Sequence, residues 1–214
     1  MKTKTIFYGL VVIASILLAT WGYHELPPTV ASHWNASGAA NGYSGKEIVF
    51  LFPAILVAFA AITEYVIPKD PLYKNIGKFE NEWFVFKTGF AAFFIYLQAL
   101  FIAYNLGIPF NFSQLLVPAL GILFYLIGLM FSKAKRNYFI GIRTPWTLSS
   151  DLVWDKTHAI GAKLFKATGI AVFIAGIIIP TQSVWVLLGL VIGTTVYLLY
   201  FSWNEWKQTK HRKK

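Results

Sequence analysis

Apolar residues in this chain run together in long blocks rather than recurring at the spacing of one helix face or alternating as in a strand. Six such blocks cover residues 6–23, 48–67, 83–106, 115–131, 162–179 and 184–203. A helix needs about 20 mostly apolar residues to cross a hydrocarbon core of roughly 30 Å, because each residue adds about 1.5 Å. Each block is therefore predicted as a membrane-spanning helix. The fourth and fifth are the shortest, and Lys163 and Lys166 stand early in the fifth, where long stems can carry the ammonium back to the headgroups. The connections at 107–114 and 180–183 are short and predict tight hairpins. Two longer polar segments remain, 24–47 and 132–161, and chemistry outside the bilayer belongs there. The expected fold is all-α: a polytopic membrane protein of about six transmembrane helices.

Composition agrees. Hydrophobic residues make up 57% of the 214 and charged residues 13%, about half the charged share of a soluble domain. Lipid is thus the solvent for most of the surface. The absence of cysteine excludes disulfides, thiolate metal sites and thiol catalysis. The net charge of +10 changes the picture only through its distribution. With the N-terminus inside, all of the 19 lysines and arginines except Lys46 and Lys87 fall in or beside cytoplasmic segments. The positive-inside rule therefore predicts cytoplasmic N- and C-termini, and the cations face anionic lipid with no direct nucleic-acid binding implied. Trp21, Tyr23, Tyr104 and Trp185 make an outer aromatic belt, and Trp83, Tyr200, Trp203 and Trp206 an inner one. Lys2 and Lys4 before the first block also fit a signal peptide. Its exit, Ala19-Thr20-Trp21-Gly22, lacks a small-x-small cleavage site, so the first span is expected to stay.

The cytoplasmic segment 132–161 carries the densest pattern. Gly141 permits a sharp turn, Pro145 holds Thr144 extended, and Ser149 or Ser150 before Asp151 makes a helix start. A turn feeding an amphipathic helix is predicted, with Leu152, Trp154 and Ile160 entering the headgroup layer. Arg143 suits phosphate, carboxylate or an aromatic face; alternatively Arg143 and Trp146 only anchor the loop to lipid. In the outer segment, His24, Glu25 and His33 lack any metal-binding spacing, and no metal is expected. Within the bilayer, Glu64 and Lys87 lie about one turn from the cytoplasmic ends of neighbouring antiparallel spans and form an ion pair or snorkel, with a proton or ion relay as the alternative. Gln98 is expected to hydrogen-bond between helices, and Gly189 and Gly193 to permit close helix contact within or between chains. Pro53 and Pro118 bend or start their helices.

The run from Asn137 to Trp154, with Gly141-Ile-Arg143-Thr144-Pro145-Trp146-Thr147-Leu at its centre and His158 beyond, resembles the signature of the SdpI family of membrane immunity proteins. In the outer segment, Leu26-Pro27-Pro28-Thr29-Val30 followed by His33-Trp34-Asn35 and Gly38 is similar to the two-span DUF1648 domain often placed ahead of that signature. The resemblance implies a DUF1648-like unit at 1–70 with its outer loop at 24–47, an SdpI-like four-helix unit at 71–206 with its cytoplasmic loop at 132–161, and a basic tail at 207–214. It further implies protection against a secreted, membrane-active toxic peptide met on the outer side, with a cytosolic repressor as partner on the inner side. A small transporter using Glu64, Lys87 and Gln98 is the alternative. No enzyme and no cofactor are expected: no two carboxylates are placed to flank a substrate, and Ser149, Asp151 and His158 lack a nucleophile elbow.

Overall fold

A computed structural model describes residues 2–211, with side chains described for residues 6–210. Among the described residues, six helices are long and apolar enough to cross a membrane. The first, α1, spans Lys2–Glu25. After it come two short antiparallel strands, β1 (Thr29–Trp34) and β2 (Ala40–Gly45). The second crossing is a composite: a 3-10 turn at Lys46–Phe50, α2 at Leu51–Ala61, a π-turn at Ile62–Val66 and a 3-10 turn at Ile67–Lys69. A short turn of helix, α3 (Tyr73–Ile76), leads into α4 (Glu80–Asn105). Then follow α5 (Phe112–Phe131), the one-and-a-half-turn α6 (Pro145–Ser149), α7 (Asp151–Ile178) and α8 (Pro180–His211). The expected all-α polytopic fold is what the chain adopts, with the hairpin β1–β2 as its one addition.

The hairpin explains itself at the backbone. Trp34 and Ala40 close the pairing, and between them Asn35 Oδ1 accepts from the Ser37 and Ala39 amides and the Ser37 hydroxyl. Gly38 has φ +83°, which glycine adopts without steric cost. A polar turn of this kind outside the hydrocarbon satisfies its own backbone groups, as any non-helical segment beside a membrane must.

Among the packing regions of the bundle, two set how its helices meet. In the first, α1, α2 and α4 meet around Ala19, Val49, Leu56, Phe101 and Ile102. Ser15 and Gln98 cross it: the Ser15 hydroxyl donates to Gln98 Oε1 at 2.7 Å, and Gln98 Nε2 donates to the Ser15 carbonyl at 3.0 Å, both side chains being fully buried. The expected interhelical role of Gln98 is therefore its observed one. In the second region α5 and α7 come within backbone contact. A Cβ added at Gly121 would stand 2.6 Å from Phe173 N, one at Gly169 2.5 Å from Tyr125 N, and one at Gly128 2.7 Å from Lys166 N. In contrast, Gly189 and Gly193 meet nothing within 4 Å among the described residues, so their spacing brings none of these helices close.

The lipid-facing surface is apolar where the sequence requires it. Ile6, Leu10, Ile13 and Leu17 on α1 and Trp185, Ile192 and Val196 on α8 are largely exposed. Pro118 lies inside α5, and Pro53 in the first turn of α2, where a missing N–H costs little. Helix α5 begins three residues before its apolar block, capped by Asn111 Oδ1 accepting from Gln114 N. Helix α7 is 28 residues long, and its first part carries Asp151, Asp155, Lys156 and His158. The apolar remainder, residues 162–178, is the portion that the sequence predicts to cross. Helix α8 continues through Lys207 and Lys210, with the Lys207 and Lys210 ammonium groups over the Trp203 and Trp206 rings at 3.9 and 5.1 Å. Of the cations from which the orientation is predicted, the Lys2 and Lys4 side chains and Arg212, Lys213 and Lys214 lie outside what is described.

Candidate functional site

The two long polar segments fold at opposite ends of the bundle, because α5 runs from the hairpin at its N-terminus to segment 132–150 at its C-terminus. The segment after α5 is held by an internal polar network. Asn137 is fully buried. Its Oδ1 accepts from the amides of Phe139 and Ile140, at 2.9 and 2.6 Å, while Nδ2 donates to the carbonyls of Lys135 and Ile140. One side chain thus replaces the backbone pairing this turn lacks. Thr144 and Thr147 form a reciprocal cap on α6: Thr147 N donates to Thr144 Oγ1 at 3.1 Å and Thr144 N to Thr147 Oγ1 at 2.9 Å. Thr144 Oγ1 also reaches Ser202 Oγ on α8 at 3.2 Å.

Trp154 and His158 form the floor. Trp154 is fully buried and donates from Nε1 to the Ala134 carbonyl at 2.9 Å. The expectation that Trp154 enters the headgroup layer is therefore wrong. Ser150 caps α7 through Val153 N, and this fixes a helical phase in which Trp154 faces inward while Leu152, half-exposed, faces out. The His158 ring stacks on Trp154 at 4.0 Å. Its Nε2 accepts from Ile142 N at 2.9 Å, and Nδ1 lies 2.9 Å from the Trp154 carbonyl. A carbonyl only accepts, so Nδ1 carries the proton and the ring is neutral. Burial pushes the His158 pKa down to about 4, opposed by the Trp154 carbonyl and the Asp155 carboxylate. Gly141, at φ +125°, passes so close that an added Cβ would lie 2.5 Å from His158 Nε2 and 3.0 Å from the Trp154 ring.

Six of the nine residues singled out in this segment, Asn137, Gly141, Thr144, Thr147, Trp154 and His158, are thus spent on shaping it. The remaining three are presented. Arg143 and Pro145 are exposed and Trp146 is half-buried. Arg143 Nη1 donates to the Tyr138 carbonyl at 2.7 Å, so its guanidinium is braced by the turn and keeps further donors for another group. Surrounding ion pairs tie the segment to the helices: Arg136 to Asp151 at 2.6 Å, Lys135 to Asp155 at 3.1 Å and Lys156 to Glu205 at 2.7 Å.

Sequence reading passed over Asp70 and Asn75. Asp70 is buried and accepts from Leu72 N and, across the bundle, from Tyr138 N, each at 2.7 Å. Asn75 Nδ2 donates to the Arg136 carbonyl at 2.8 Å. These two residues bind the segment between the second and third crossings to the Asn137 turn. The only signal was the Lys69-Asp70-Pro71 break, which marks a turn without naming its partner.

At the opposite end, Trp34 stacks on Phe112 with ring centroids 3.7 Å apart and planes at 8°, and meets Tyr104 edge-on at 5.2 Å. Asn105, also missed, holds the outer edge of β1: its Oδ1 accepts from Ala31 N at 2.6 Å and its Nδ2 donates to the Ala31 carbonyl at 3.1 Å. Asn111 Nδ2 donates to the Ser37 carbonyl, and a Cβ at Gly38 would overlap the Asn111 side chain. Gly38, Trp34 and Asn35 are accordingly docking residues for the hairpin. Pro27 precedes β1, and Lys46 N donates to the Pro28 carbonyl at 3.1 Å. His33 is exposed, with Nδ1 2.6 Å from Asn41 Oδ1. Among the described residues no group of three His, Asp or Glu side chains is arranged to hold a metal.

Glu64 sits on the π-turn and pairs with Lys87 on α4 at 3.2 Å. Lys87 Nζ also lies 5.9 Å from the Trp83 ring centroid. Of the arrangements expected for this pair, the ion pair is the one seen in the structure.

Fold and site together define a multi-pass protein of the cell membrane, six helices with a small ordered element at either face. The SdpI/YfhL protein family matches residues 133–202, and the Domain of unknown function DUF1648 matches residues 10–57. The chain therefore carries an SdpI-family region preceded by a DUF1648 region. The curated immunity protein SdpI of Bacillus subtilis (strain 168) is 26% identical over 203 residues, which cover 92% of this chain and 96% of that protein. No solved structure matches the chain.

Proposed function

We propose that this protein protects its cell against a secreted, membrane-active toxic peptide. The observation that carries this reading is the similarity to an immunity protein, which covers 92% of this chain. The distribution of cations supports cytoplasmic termini, the hairpin outside and the Arg143 turn inside. In that arrangement the outer hairpin and its surrounding groove meet the peptide. The Arg143-Thr144-Pro145-Trp146 turn, fixed from below by Asn137 and His158, is the surface offered to a cytosolic partner such as a repressor. The units at 1–70 and 71–206 are read as the outer-facing and inner-reporting parts, with the basic tail at 207–214 against anionic lipid.

The transporter reading loses support from the geometry, since Glu64 and Lys87 neutralise each other and both ends of Gln98 are taken by Ser15. The test is expression in a bacterium sensitive to a sporulation-delaying toxin. Tolerance should rise, and unchanged killing at normal protein abundance would refute the immunity reading. Arg143→Ala should abolish recruitment of a cytosolic partner without lowering abundance.

A further inference from the structure

We propose that the pocket beneath the outer hairpin receives one apolar side chain of an extracellular peptide, whose backbone is held by His33 and Trp34. The pocket encloses about 290 Å³ between the hairpin turn, the N-terminal half of α5 and the start of α8. Leu116 and Leu120 form one apolar wall and Val184 and Leu187 another, while Ser32 and His33 stand at the polar edge. That volume lies at the lower end for small-molecule sites. It has room for a side chain and none for a folded domain.

The two polar groups decide the kind of ligand. Trp34 lines the pocket, and its indole Nε1–H is buried with no acceptor among the described residues. The ring is held by the Phe112 stack and the Tyr104 edge, and its unpaired donor is the polar group of this wall that a ligand acceptor would satisfy. His33 Nδ1 donates to Asn41 Oδ1, which leaves Nε2 with a lone pair and no partner among the described residues. One buried, unpaired donor and one exposed acceptor on adjacent strand residues match the C=O and N–H of a peptide backbone. A lipid phosphate offers acceptors only. The site also joins the two regions of the chain, since the hairpin follows the first crossing and Val184 and Leu187 belong to the last.

This inference rests on the immunity reading and names where that reading would meet its ligand. The test uses the full chain in nanodiscs of phosphatidylglycerol and phosphatidylcholine, with the sporulation-delaying toxin peptide as probe. Benzoylphenylalanine in place of Leu187 should cross-link the peptide, whereas the same group in place of Ile122, in the lipid-facing cleft between α4 and α5, should not. Leu187→Trp and Ala36→Trp, which fill the pocket, should each weaken binding about tenfold or more and remove protection in cells. His33→Ala alters an exposed side chain and should weaken binding about fivefold with thermal stability unchanged. Cross-linking at position 187 to lipid alone overturns the proposal, as does unchanged affinity in the filled variants and His33→Ala. If the unaltered chain gives no protection, the immunity reading itself fails. If it protects and the filled variants protect equally, only the pocket assignment fails.

Discussion

Gly141→Ala tests whether the cytoplasmic turn is a rigid platform. Three costs arise from one methyl group. At φ +125° an L-residue carries a strain of about 1–3 kcal/mol. The new Cβ would sit 2.5 Å from His158 Nε2 and 3.0 Å from Trp154 Cη2 and Cζ2. Those atoms are fixed by stacking and by hydrogen bonds, so relief means moving the core, at about 1–3 kcal/mol. Moving His158 also breaks its bond from Ile142 N, and a donor left unpaired adds about 1–3 kcal/mol. These costs overlap, since one displacement relieves the contact while breaking the bond, and a net loss of about 3 kcal/mol or more is expected, or about a hundredfold in the population of the opened turn. The chain has no cysteine, so a single introduced thiol reports opening without background. Val153 is fully buried under the turn; in a Val153→Cys chain, Gly141→Ala should raise the labelling rate by a water-soluble thiol reagent about a hundredfold. Adding His158→Ala should recover part of the protection by removing the nearest atom. A labelling rate within about threefold of the parent would refute the argument, because the turn would then tolerate the strain it is built to exclude.

The same thiol reads the protonation of His158. Its pKa is lowered from about 6.5 to about 4 by burial, so the neutral ring stabilises the turn above pH about 6.5. That contribution is lost as pH falls through the interval towards about 4, up to about 3 kcal/mol in all. Labelling of Val153→Cys, normalised to denatured chain, should rise over that interval, and His158→Gln should flatten the rise. In the bilayer, Gly121→Leu or Gly169→Leu should cost about 3 kcal/mol or more in a detergent thermal-shift measurement, because the contacts are backbone atoms that cannot yield. Gly189→Leu and Gly193→Leu should leave the Tm unchanged; a large loss there would show that this face is packed against another chain. Gln98→Leu should cost about 1 kcal/mol by the same assay, the modest value of interhelical hydrogen bonds in membranes.

The sequence made the crossings legible because lipid imposes one requirement on every helix, a length of apolar residues, and that is a local property. It also exposed which turn residues matter, since Gly141, Asn137 and Thr144 are types with special backbone uses. What it could not show is which way they face. Trp154 reads as an interfacial anchor in any amphipathic pattern, and only the Ser150 cap fixes the phase that turns it inward. Likewise the outer segment contains no alternating apolar run to announce strands. Its hairpin forms because Asn35 and Gly38 make the turn and because Asn105, 74 residues away from Ala31, supplies the missing edge bonds. A residue whose partner is that distant leaves no mark in a local pattern.

The glycines make the same point from inside the bilayer. The spacing Gly189-x-x-x-Gly193 is the familiar sign of close helix contact, and it meets open space. The contact that exists uses Gly121 and Gly128 on α5 against Ala162, Gly169 and Gly176 on α7, each set at intervals of seven. A four-residue interval belongs to steeply crossed helices that touch over one or two turns, whereas a seven-residue interval returns the same face over a long, shallow contact. Helices α5 and α7 join the hairpin end of the bundle to the Arg143 turn, and backbone-close packing along their length leaves little room for one to slide on the other. Helix α8 has no such seam with its neighbours. It touches the outer pocket through Val184 and Leu187, the inner turn through Ser202, and α7 through Glu205. Coupling between two sites requires an element with two arrangements. Helix α4 likewise reaches both ends, through Asn105 at β1 and Trp83 in the cluster with Ala134 and Ile140, so α4 and α8 are the two helices whose movement against the α5–α7 pair would link the hairpin with the Arg143 turn.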